Sequence, residues 1–163
     1  MQQLIWCFQS NYIAERMRPM VFNSIVAGII ATSIFTLVAM VTPLVGFPKM
    51  LPPEMLSMMM GLPLAVGWFM HFMIGIVFAL AYTFFLFKLL KKIGNSLMRG
   101  IIFGLIAFAF GQLMIAFMGM VFPMPPVQGS MALVMIGSIL GHMVFGITVV
   151  LLIKVPVREK TNA

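Results

Sequence analysis

The sequence predicts an all-α integral membrane protein: a four-transmembrane-helix bundle built from two parallel helical-hairpin repeats. Three observations lead there. Of 163 residues, 63% are hydrophobic and 8% are charged, whereas a soluble domain carries about a quarter charged residues. Four apolar runs each approach or exceed the roughly 20 residues that cross a bilayer core. Finally, the second half of the chain repeats features of the first in the same order.

The elements follow in chain order. Residues 1–20 mix Leu4, Ile5, Trp6, Phe8, Tyr12 and Ile13 with polar residues. They read as a short interfacial helix with Trp6 and Tyr12 at head-group level. Pro19 should separate it from the first span, since proline disrupts a helix interior. No basic residue precedes the short Leu4–Phe8 run, so it does not read as a signal peptide. The first hairpin, 21–92, holds span one at Phe22–Val45 and span two at Pro63–Phe87. The second hairpin, 93–154, holds span three at Gly100–Val121 and span four at Met131–Ile153. A tail follows at 155–163.

The links between spans carry the topology. "FPKMLPPE" joins spans one and two, and "FPMPPVQG" joins spans three and four. Their Pro-Pro pairs suggest short re-entrant or interfacial pieces, with Glu54 suited to the first turn of a helix, where a carboxylate meets the helix dipole. Lys88, Lys91, Lys92 and Arg99 crowd the middle link. Arg16 and Arg18 precede span one, and Lys154, Arg158 and Lys160 follow span four. The positive-inside rule then puts both termini and the middle link in the cytoplasm of a bacterial inner membrane. The net charge of +7 is a topology signal, not a nucleic-acid footprint. The middle link has the minimum charge for contact with anionic head groups.

The repeat is specific. "NSIVAGII" (23–30) matches "NSLMRGII" (95–102), "FPKMLPP" (47–53) matches "FPMPP" (122–126), and "HFMIGIV" (71–77) matches "HMVFGIT" (142–148). These matches are offset by 71 to 75 residues, as in a duplicated hairpin. An even number of spans per half gives both halves one orientation. Spans two and four, with His71 and His142, should therefore be diagonal across the bundle.

Residues four apart share a helix face. Small or polar residues line one face of each span: Gly67, His71, Gly75, Ala79 and Thr83 on span two, with Ser138, His142 and Gly146 on span four. Gly28, Thr32 and Thr36 do so on span one, and Gly100, Gly104, Ala107 and Gly111 on span three. Leucine-like surfaces gain nothing from leaving lipid, whereas small residues let backbones approach. The four stripes should face inward and carry both histidines with them.

What the histidines do divides into three readings. In the first, each ring hydrogen-bonds a neighbouring helix, with Thr32, Ser33, Thr36 and Gln112 as partners. In the second, His71 and His142 are axial ligands of a haem b iron, with Gly67, Gly75, Ser138 and Gly146 making room for the macrocycle. That pair and its small neighbours resemble the four-helix core of b-type cytochromes. The resemblance implies electron transfer, although that core carries four histidines and this chain has two. In the third, the 19 methionines offer soft Cu(I) ligands, among them Met58–Met60, Met70, Met114, Met118, Met131, Met135 and Met143. A small-solute transporter acting as an oligomer is a further alternative.

Catalysis by the chain alone is not expected. The acids are Glu15, Glu54 and Glu159, all outside the spans, and there is one cysteine, Cys7. No nucleophile–base pair or phosphate loop appears. The H-x-x-x-G helices (His71/Gly75, His142/Gly146) and the FP…PP turns resemble those of small four-transmembrane bacterial proteins grouped as domains of unknown function. That resemblance implies the four-span fold and no activity. The expectation is a non-catalytic subunit or partner of a larger membrane complex, respiratory or otherwise energy-converting, with lipid, other subunits or further copies as its neighbours.

Overall fold

The computed structural model describes residues 2–49, 51–124, 126 and 129–153, with side chains from residue 15 onward, Arg16 excepted. The expected tail, 155–163, lies outside the described residues. Among the described residues five α-helices form: α1 Gln2–Val41, α2 Pro52–Met60, α3 Leu64–Leu90, α4 Ser96–Met118 and α5 Met131–Leu152. Four segments among them are long and apolar enough to cross a membrane: Met17–Val45, Leu64–Leu90, Ser96–Met118 and Met131–Leu152. The protein is thus an all-α, multi-pass membrane bundle.

Two boundaries differ from expectation for local reasons. α1 runs unbroken through Pro19, so the N-terminal segment and the first span are one helix. Proline forfeits the hydrogen bond to the carbonyl of Glu15, but both residues are exposed, which leaves that carbonyl open to water or head groups. The third span begins at Ser96, ahead of the charged Arg99. Asn95 caps it: its side-chain oxygen accepts from the Leu97 amide at 2.8 Å and the Met98 amide at 3.4 Å, satisfying donors that a helix start leaves free.

The first outer link forms α2, started by Pro52-Pro53 with Glu54 in its first turn. Lys49 reaches Glu54 at 3.4 Å. Pro53, Leu56 and Met59 are buried, and α2 lies against α3. The second outer link has no helix among its described residues.

Around the bundle, α3 packs on α1, α1 on α5, and α5 on α4. α1 therefore stands between the two histidine helices, α3 and α5. The remaining seam, α3 to α4, is bridged by rings: Phe78 to Phe110 at 5.8 Å and Tyr82 to Phe103 at 4.9 Å between centroids.

The close crossings use the small-residue stripes. Between α1 and α3, a Cβ on Gly28 would stand 2.7 Å from the Ile76 Cα, and one on Gly75 would strike Thr32. Between α4 and α5, a Cβ on Gly100 would stand 2.5 Å from the Ile147 Cα, and one on Gly146 would strike Gly100 and Gly104. Gly28 and Gly100, and Gly75 and Gly146, are the glycines that the expected repeat would pair, and each lies at a close crossing.

The other two sides of the bundle do not match. Gly141 on α5 admits the edge of Phe35 from α1, whose Cε2 would be 2.5 Å from a Cβ there. The corresponding positions in the repeat are Met70 on α3 and Ala107 on α4. Neither helix has a glycine there, and the contacts between α3 and α4 are the aromatic pairs.

Candidate functional site

His71 is 8% exposed and His142 is half-buried, each on the inward face of its helix. The Thr36 hydroxyl donates to the Thr32 carbonyl at 2.8 Å, which spends its single proton. At 3.0 Å from the same oxygen, His71 Nε2–H is therefore the donor in that contact. In the neutral ring, Nδ1 keeps the lone pair.

His142 is held differently. Its Nδ1–H donates to the Ser138 carbonyl one turn back, at 2.8 Å. Nε2 keeps the lone pair and faces α4, 3.6 Å from where a Gly111 Cβ would stand. The position matching Thr36 is Phe108, which offers a ring and no acceptor; it meets His142 edge-on at 5.6 Å. With no cross-helix hydroxyl, His142 turns to its own backbone.

Phe35 stands against both imidazoles, with ring centroids 5.7 Å from His71 and 5.0 Å from His142. A shared haem needs both histidines aimed at one iron, with the macrocycle between them. Here the ring of Phe35 fills that interval, His71 Nε2 is bonded to Thr36, and His142 Nε2 faces α4. The small neighbours offer no room either. A Cβ on Gly67 would strike the Pro53 carbonyl of α2 and stand 2.9 Å from Ser57 Cβ. Gly75 is covered by Thr32, Gly146 by α4, and the Ser138 carbonyl carries His142. The residues do not fit a haem, because the places read as a cradle are filled by helix backbone and by Phe35. Hemin added to the purified protein is expected to give no Soret band. A band abolished by His142→Leu would show instead that Phe35 yields its place.

The methionines read as candidate ligands are dispersed over α2, α3, α4 and α5. Met58, Met114 and Met131 are exposed on the apolar surface, where a flexible thioether packs well. Among the described residues, no group of three or more His, Cys, Asp or Glu gathers as a metal set.

A family model described as a family of unknown function, DUF6789, matches residues 18–161. The chain belongs to that family. No curated protein and no solved structure matches it.

The central feature of this DUF6789 chain is thus a packed column, Thr36–His71–Phe35–His142–Phe108. Thr36 was a foreseeable partner for a histidine, being small, polar and on the inward stripe. Phe35 and Phe108 carried no such signal among 16 phenylalanines. Tyr82 carried no such signal either, and Arg99 read only as a charge of the middle link. Both the Tyr82 hydroxyl and Arg99 Nε are buried without a hydrogen-bond partner among the described residues, and the guanidinium lies 5.8 Å from the centre of the Phe87 ring.

The two histidines should respond unequally to substitution. His71→Leu removes a bond between helices and is expected to cost about 0.6 kcal/mol, the average for such bonds in a membrane, and no more than about 1.7 kcal/mol. His142→Leu removes a bond within one helix turn and is expected to cost less. Unfolding of the two variants in detergent measures the order; a more damaging His142→Leu would refute it.

Proposed function

We propose that this small polytopic membrane protein is a non-catalytic subunit or docking partner of a larger membrane assembly, set in a bacterial inner membrane with both termini in the cytoplasm. What carries the reading is α1, which continues as helix from the start of the span at Met17 back to Gln2. At 1.5 Å per residue this is an arm of about 22 Å beyond the span, continuous with the bundle. The interior of the bundle supports the same reading, because Ser24 pairs with Thr83, Thr36 pairs with His71 and Phe35 fills the space between the two histidines. The apolar outer surface, rich in exposed Phe, Met and Leu, serves lipid or neighbouring subunits equally.

The reading is tested by mild solubilisation of native membranes holding a tagged full-length protein. Co-purification with larger membrane proteins is expected, with loss of those partners when residues 2–14 are deleted. Recovery of the protein alone would remove the proposal. For the topology, a fluorescent protein fused to the C-terminus should fluoresce and alkaline phosphatase there should be inactive; the reverse pattern would invert the orientation.

A further inference from the structure

We propose that the basic end of the bundle holds an anionic phospholipid, with the phosphate at Arg18 and an acyl chain along one face of α1. A shallow, open groove of about 450 Å³ runs there along this one helix, lined by Met17, Arg18, Val21, Phe22 and Ile25. Its lining is apolar apart from the arginine. Met17 opens the membrane-spanning segment, so Arg18 is at head-group depth and Val21, Phe22 and Ile25 reach into the acyl region. Phe22 is 65% exposed. The opposite face of α1, with Ser24, Ala27 and Ala31 buried, packs inside the bundle, which leaves the grooved face to the bilayer.

The surrounding charge selects the occupant. Three links join α1 to α3: the Ser24 hydroxyl lies 2.6 Å from that of Thr83, Thr32 covers Gly75, and Thr36 bonds His71. Partners move back along α3 as far as they move forward along α1. Extending this register past the π-helical turn at Tyr82–Leu86, which takes up one extra residue, brings Arg18 level with Leu89 and Leu90, between Lys88 and Lys91. Lys88, Lys91 and Lys92 are exposed. Among the described residues, the one ion pair is Lys49 with Glu54, in the outer link. Glu15 is the one acid described near Arg18, and the two are not paired. A zwitterionic head group would bring an ammonium into this field, whereas a phosphatidylglycerol head group brings a net negative charge. Clustered Lys and Arg next to a membrane span attract anionic lipid by about a fivefold gain in binding per residue.

Native mass spectrometry of the full-length protein in detergent, offered phosphatidylglycerol or phosphatidylcholine, tests this. Preferential retention of phosphatidylglycerol is expected, weakened about fivefold by Arg18→Gln and unchanged by Lys49→Gln. Arg18 is exposed, so folding of that variant is not at issue, and a matched melting curve checks it. Equal retention of the two lipids would overturn the proposal. So would an equal loss in both variants, which would mark an effect of net charge alone.

Discussion

Gly146→Val is expected to pull α5 away from α4 and lower stability by about 3 kcal/mol, the upper end of the ordinary cost of overpacking. The cause is what the new carbons would meet. A Cβ at position 146 collides with the Gly100 carbonyl and the Gly104 amide nitrogen, and it stands 2.7 Å from the Gly104 Cα. These are backbone atoms of a neighbouring helix and cannot turn aside as a side chain can. Relief requires the helices to separate, which forfeits the dispersion contacts that hold them together in a solvent as apolar as they are. Gly75→Ala, at the matching place in the first hairpin, is expected to cost less than Gly146→Ala. The obstacle there is chiefly the Thr32 side chain, which has an alternative rotamer in a helix. Gly94→Ala is the control: nothing lies within 4 Å of its Cβ, so an effect within about 0.5 kcal/mol is expected. Thermal or denaturant unfolding in one detergent ranks the set. A Gly146→Val protein as stable as Gly94→Ala would refute the account of this crossing.

That crossing was legible in the sequence because its signal is periodic and local. Small residues at steps of four on a helix in lipid have few uses besides close packing, so Gly100, Gly104 and Gly146 announced an inward face before any partner was known. The four spans were legible for the same kind of reason, since hydropathy depends on composition alone. The meaning of the space beside the histidines was not legible. Gly67 read as room for a macrocycle, yet α2 fills it with the Pro53 carbonyl, and nothing in "PPEMLSMMMG" states which way that short helix folds. Pro19 read as a break because propensity predicts one. The structure keeps the helix because the carbonyl it frees, on exposed Glu15, has polar surroundings within reach. Phe35 was the least legible residue, because its role depends on a glycine 106 residues away, Gly141, on a helix it meets only after folding.

Phe35→Ala is therefore expected to have the second large effect. Phe35 is 8% exposed and touches His71, His142 and Gly141 at once. In water such a truncation loses both transfer and cavity terms. In lipid the transfer term is largely absent, because the unpacked ring would still lie in an apolar solvent. The cavity term remains. About 100 Å³ of lost ring at about 24 cal/mol per Å³ gives roughly 2 kcal/mol. A second substitution makes the argument specific. Gly141→Leu alone drives new carbons into the Phe35 ring and is expected to be destabilising. With Phe35→Ala in the same chain, those carbons enter the space the ring has left. The double variant should then be more stable than the sum of the two single losses by about 1–2 kcal/mol, within the range of coupling between residues in contact. Additive losses would mean that Phe35 and Gly141 do not share one volume, and that α1 and α5 are held together by something other than this ring.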